Sequence, residues 1–179
     1  MRKLSIDRSP WYVAALAACL AVAHLAWQYS HGGVPSHHFL DRADMPTVSN
    51  GWGLAVLPVL GWLAAWSALR RFAVEPDAVR KACAAALGAL LVGAALSVAF
   101  VTGHEQVTSW IFFAALLCGL ALPTYRAEYV FGFVIGMVFV FGAVLPTLAA
   151  AVGAGISAAF HRLVWPAFAW AVRRYRPSL

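Results

Sequence analysis

Residues 11–29 read WYVAALAACLAVAHLAWQY. The run has about the 20 apolar residues that a helix needs to cross a hydrocarbon core of ~30 Å. Trp11, Tyr12, Trp27 and Tyr29 stand at its two ends, where membrane interfaces favour aromatic side chains. It is longer than a signal-peptide core and no small-residue cleavage site follows it, so it reads as a retained span. Only His24 and Gln28 interrupt its apolar character.

Comparable runs follow at 51–69, 82–102 and 107–122, and another begins near Glu128. The composition agrees: 63% of residues are hydrophobic, 11% are charged and the mean hydropathy is +0.77, whereas soluble domains hold about 45–50% apolar and about 25% charged residues. The expected fold is all-α, a polytopic integral membrane helix bundle of five to six transmembrane helices forming one transmembrane domain over 1–179. Apolar residues then continue from Tyr129 to Phe160, which as one helix would be ~48 Å long and needs a break. Pro146-Thr147 and Gly153-Ala154-Gly155 supply the available breaks, predicting spans at 128–146 and 150–172. His161-Arg162 falls inside the last of these. It requires either a polar cavity or an interfacial helix with Trp165 and Trp170 at the boundary.

The net charge of +6 suggests no nucleic-acid partner, because the basic residues punctuate the apolar runs and form no patch with interleaved aromatics. Arg2, Lys3 and Arg8, then Arg70, Arg71, Arg80 and Lys81, then Arg126, and finally Arg173, Arg174 and Arg176 fall on one side of a six-span chain. Loops 30–50 and 103–106 on the other side hold only Arg42. Short cytoplasmic loops retain lysine and arginine, so both termini are expected in the cytoplasm and loop 30–50 outside, in a cell membrane of the bacterial inner-membrane kind. Cys19, Cys83 and Cys118 stand singly, without the pairing of a redox dithiol or thiolate metal site, and read as small buried apolar residues.

The polar residues gather towards the outer end. His24, Gln28 and His31 are spaced i, i+4 and i+7, one stripe of a helix facing a polar cavity. Residues 29–44, YSHGGVPSHHFLDRAD, hold His31 and two further histidines with two aspartates. Val34-Pro35-Ser36 predicts a short helix capped by Ser36 and stopped at Met45-Pro46. On it His37, Asp41 and Asp44 would share a face, with His38 flanking. The turn Thr102-Gly103-His104-Glu105-Gln106 lies on the same side. Imidazole and carboxylate together suit a divalent metal such as zinc, with ligand distances near ~2.1 Å, and His37, His38, Asp41 and His104 are its candidate ligands. Asp44 or Glu105 would act as general base on a metal-bound water. The plainer reading is that histidines suit a membrane surface, but a titratable group inside a span, such as His24, points by default to function.

These residues predict a metal-dependent hydrolase or transferase acting on a lipid-like substrate at the outer leaflet, with membrane lipid as partner. The alternative is a small ion- or proton-coupled transporter, or an accessory subunit of a membrane complex, with His24, Gln28 and His31 relaying protons. Haem held by His24 with His104 or His161 is a third, weaker possibility. Ser49-Asn50 reads as a helix N-cap. Pro58 and Pro146 predict kinks, and Gly132-Phe133-Val134-Ile135-Gly136 predicts close helix packing, within the bundle or between two copies or with a partner subunit.

Overall fold

The computed structural model describes residues 2–38 and 47–175. Among these residues seven α-helices run in order: α1 (Arg2–Ser30), α2 (Gly53–Phe72), α3 (Ala78–Val101), α4 (Glu105–Ala121), α5 (Ala127–Phe141), α6 (Val144–Ala159) and α7 (Trp165–Tyr175). Between α1 and α2 two short antiparallel strands, β1 (Ser36–His38) and β2 (Thr47–Ser49), form a hairpin with Ser36 opposite Ser49 and His38 opposite Thr47. One 3-10 turn, Asn50–Trp52, leads into α2, and one π-helical turn, Phe160–Val164, joins α6 to α7. The stretches Arg8–Ser30, Asn50–Phe72, Ala78–Val101 and Val144–Trp170 are long and apolar enough to cross a membrane, while Glu105–Ala121 and Ala127–Phe141 are apolar but shorter. The chain is therefore an all-α membrane helix bundle.

α5 is its central pillar, packed on α3 most extensively and also on α2 and α6, while α1 lies along α2 and α4 leans on α3 and α6. Lipid is as apolar as the helices, so burying hydrocarbon does little to drive helices together, and close backbone approach takes over that role. The residues at the α3–α5 seam answer that need. A side chain at Gly132 would run into the Ala86 backbone, one at Gly136 into Leu90 and Ala94, and one at Gly93 into the Phe133 carbonyl. The GxxxG pair thus serves packing inside the bundle. Ser97 donates across the same seam to the Gly136 carbonyl at 3.2 Å, and Ser157 ties α6 to α4 by donating to the Gly119 carbonyl at 2.7 Å.

Three expectations about the path of the chain need correction. The break after the fifth span lies at Gly142, not at Pro146 or Gly153, because Gly142 adopts φ +69°, a conformation that costs little only for glycine. Pro146 instead sits in the first turn of α6, where its missing N–H has no helical partner to lose. Helix α5 therefore ends at Phe141 and α6 begins at Val144. Starting earlier than expected, α6 brings His161 level with the α4–α5 turn, where it bonds the Leu122 carbonyl at 3.2 Å, and the Arg162 guanidinium lies 5.1 Å from the centre of the Tyr125 ring. Arg162 consequently stands at the end of the bundle and not at its mid-depth. Finally, Cys19, Cys83 and Cys118 are exposed on the helix surfaces and not buried.

Replacing Gly132 with alanine should destabilise the detergent-solubilised protein by about 1–3 kcal/mol, the usual cost of forcing a methyl group into a filled contact. Gly155 has nothing within reach of an added Cβ, so Gly155→Ala should instead be neutral or stabilise by up to about 1 kcal/mol through helix propensity. Thermal unfolding of the two variants side by side checks the difference in sign.

Candidate functional site

The last turns of α1 carry His24 and Gln28 on the face that meets α2 and α5. Both are more than nine-tenths buried, and their Nε2 atoms lie 3.0 Å apart as a hydrogen-bonded pair. The His24 ring meets Phe139 of α5 edge-on, with centroids 4.7 Å apart. α1 then ends in a tight turn in which the backbone N–H groups of His31 and Gly33 both donate to the Gln28 carbonyl, at 3.1 and 3.0 Å. Gly32 and Gly33 hold φ of +115° and +104°, and these two glycines allow the reversal.

After that reversal the chain is extended, and the short helix expected from Ser36 is a strand. Val34 precedes a proline, which disfavours the helical region. Thr47 and Val48 are β-branched residues that suit the strand opposite, and the Asn50 N–H closes the hairpin on the Pro35 carbonyl at 3.2 Å. The single helical face proposed for His37, Asp41 and Asp44 therefore has no backbone to support it at His37. Asp41 and Asp44 lie outside the described residues, as do the side chains of His37 and His38.

Ser49 does act as a cap, its hydroxyl accepting from the Gly51 N–H at 3.1 Å. Asn50, expected to share that role, is instead more than nine-tenths buried. Its carboxamide occupies the space beside Gly142 that any side chain there would need. The turn between α5 and α6 thus has glycine at residue 142 for two reasons, its backbone conformation and the room it leaves for Asn50. His24, Gln28 and Asn50 bring three buried polar side chains to this end of the bundle, and Gln28 Oε1 and Asn50 Nδ2 have no hydrogen-bond partner.

The remaining expected residues are arranged differently. His31 does not continue the stripe of His24 and Gln28: it follows the end of α1 and is exposed, stacked on Trp27 with its Nδ1 2.8 Å from the Trp27 carbonyl oxygen and 3.0 Å from Ser30 Oγ. His104 is exposed at the turn before α4, its Nδ1 2.9 Å from Thr102 Oγ1, and Glu105 opens that helix, where a carboxylate suits the positive end of the helix dipole. Among the described residues no hydrogen bond or ion pair joins His104 or Glu105 to His24, Gln28 or Asn50, and no three histidine, cysteine, aspartate or glutamate side chains assemble as a metal-ligand set.

The opposite end carries a group that the sequence pattern did not single out. Arg71, at the end of α2, donates from Nη2 to Glu128 Oε1 at 2.6 Å and from Nε to the Ser67 carbonyl at 3.2 Å. Glu128 is only 3% exposed and Arg71 24%. Glu128 also stands in the first turn of α5, where the helix dipole favours its charge. The signal available in the sequence was an acid opening one span and an arginine closing another. Pairing them required knowing that α2 and α5 are neighbours.

No protein-family model, curated protein or solved structure matches the chain. The class it belongs to rests on its own geometry: a multi-pass membrane helix bundle with buried polar side chains towards both ends.

Truncating Glu128 to alanine leaves the Arg71 guanidinium without its partner. Because Arg71 keeps some contact with solvent, the expected loss is about 2–3 kcal/mol, below the ~3–5 kcal/mol of a fully buried pair. A double-mutant cycle with Arg71→Ala, followed by chemical unfolding in micelles, should return a coupling above ~1 kcal/mol. A coupling near zero would mean that the pair is solvated.

Proposed function

We propose that this protein is a membrane enzyme whose chemistry is confined to the hairpin end: a metal-dependent hydrolase or transferase acting on a lipid-like substrate. The observation that carries the reading is the burial of His24, Gln28 and Asn50 at the hairpin end, where Gln28 Oε1 and Asn50 Nδ2 lack partners and no ion pair accounts for them, unlike Arg71 Nη1 and Glu128 Oε2 at the other end. Buried polar atoms without partners cost about 1–3 kcal/mol each, and a fold keeps such groups where a ligand or a reaction uses them. The hairpin ties the histidine strand to Asn50: β1 carries His37 and His38, and the carbonyl of Pro35, just before it, accepts from the Asn50 N–H. In this reading His37, His38, Asp41 and His104 hold a divalent ion, zinc by ligand preference, and Asp44 or Glu105 serves as base.

A transport role needs polar groups along the whole bundle. Between His24 and the Arg71–Glu128 pair lies a layer of Ala17, Ala21, Leu57, Val134 and Val138, with Leu60, Val130 and Phe131 packed against it. That hydrocarbon layer favours a one-sided site over a relay. The basic residues near Arg70, Arg71, Arg80, Lys81 and Arg126 mark the opposite end as cytoplasmic by the charge rule, so the hairpin faces outside and both termini face in.

Elemental analysis of protein purified without chelators tests the metal. Close to one equivalent of zinc or a similar ion is expected, reduced at least tenfold in His37→Ala and in Asp41→Asn, as losses of ligating groups typically are. Wild-type protein free of metal would sink the metalloenzyme reading and bring the accessory or transport role forward. Orientation has its own measurement: with the three exposed native cysteines replaced, Val34→Cys should react with an impermeant maleimide in intact cells and Pro76→Cys should not.

A further inference from the structure

At the basic end of the bundle, α3, α4, α5 and α6 line a partly open cavity of about 800 Å³. It exists because α4 leans on α3 and α6, leaving α5 to form the far wall. Along α3 its lining follows one helical stripe, Lys81, Ala85, Gly88 and Val92, which spans roughly 16 Å at 1.5 Å per residue. Phe112 of α4 and Phe133 of α5 close its deeper part, and Gly88 presents no side chain there.

The polar groups of this cavity are confined to one end. Lys81 is already paired with Glu75, and that hydrogen bond, with the charge of Lys81, holds the exposed Glu75 carboxyl below the usual carboxylate range. Glu128 is paired with Arg71. Arg126, half-buried at the cavity mouth, has no ion-pair partner among the described residues, so Lys81, Arg71 and Arg126 against Glu75 and Glu128 leave one positive charge over. Thr124 and Tyr129 bring hydroxyl groups to the same end. An apolar slot ~16 Å deep, with one uncompensated guanidinium at its mouth, is complementary to a molecule with a hydrocarbon chain and a singly anionic head.

We propose that this cavity binds an anionic phospholipid of the surrounding bilayer, its acyl chain lying along the Gly88 stripe and its phosphate on Arg126. The guanidinium fork matches phosphate oxygens, and a slot between helices in contact with the membrane is filled most readily by the lipid already there. This site lies at the opposite end from the hairpin cluster and does not depend on the reading given to that cluster.

Native mass spectrometry of the full-length protein, titrated separately with phosphatidylglycerol and phosphatidylcholine of identical chains, tests the assignment. One phosphatidylglycerol should bind with a preference of about fivefold, the size expected of one basic contact to an anionic head group. Arg126→Gln should bring the two lipids to parity while lipid still binds. Gly88→Phe, which fills the slot from a position with open space around it, should abolish the bound lipid, whereas Gly155→Phe outside the cavity should not. Equal binding of both lipids by the wild type, an unchanged preference in Arg126→Gln, or phosphatidylglycerol retained by Gly88→Phe would each overturn the proposal. Thermal unfolding of each variant confirms that the protein compared is folded.

Discussion

The bundle depends on one contact, the backbone-to-backbone approach of α3 and α5. Gly93, Gly132 and Gly136 face carbonyl and amide groups of the opposite helix with no room for a Cβ. In a bilayer such a seam substitutes for the hydrophobic driving force that a soluble core would supply, because dispersion and weak polar contacts grow steeply as backbones close. With α5 held in this way, α2 and α6 pack on its remaining sides and α1 packs on α2. The end of α5 is as closely specified as its middle. Gly142 both reverses the chain and leaves the space that Asn50 occupies, so a single residue couples the start of α6 to the entry of α2.

Polarity is distributed as the fold requires. Each end of the bundle gathers side chains from segments distant in sequence, Gln28 and His24 with Asn50 nearby at one end, Arg71 with Glu128 at the other, and small and branched apolar residues fill the depth between them. Desolvating these groups is costly, and each arrangement offsets the cost differently. The ion pair uses charge, a short hydrogen bond and the dipole of α5. The His24–Gln28 pair leaves Gln28 Oε1 unpartnered, as Asn50 Nδ2 is beside Gly142. Each end leaves two buried polar atoms without partners, Gln28 Oε1 and Asn50 Nδ2 at one, Arg71 Nη1 and Glu128 Oε2 at the other; the difference is that the second set already holds an ion pair and the first holds no charge partner. The cavity near the Arg71–Glu128 pair adds a second apolar feature, with Arg126 at its mouth lacking an ion-pair partner among the described residues, which sets the α3–α6 face apart from the closely packed α1–α2 face.

The class of the protein and the rough position of its helices were legible in the sequence, because both follow from local composition: a run of apolar residues of sufficient length has few alternatives to a spanning helix. The pairing of His24 with Gln28 was legible for the same reason, being fixed by i, i+4 geometry. What the sequence could not decide were the outcomes that depend on distant partners. Ser36 carried good helix-start chemistry, yet pairing with Ser49 made its segment a strand. Gly142 was one glycine among several until the neighbouring Asn50 made it the site of the turn. His31 kept the periodicity of a stripe after the helix that would have carried it had ended. Glu128 and Arg71 looked like separate boundary charges, and Arg162 like a misplaced one, until the earlier start of α6 brought its end level with Leu122 and Tyr125. Composition and periodicity act over a few residues and determined the helices; which faces meet, which polar atoms are left without partners and where a cavity opens are properties of the packed chain, decided by the close approach of α3 and α5 and the two turns that follow from it.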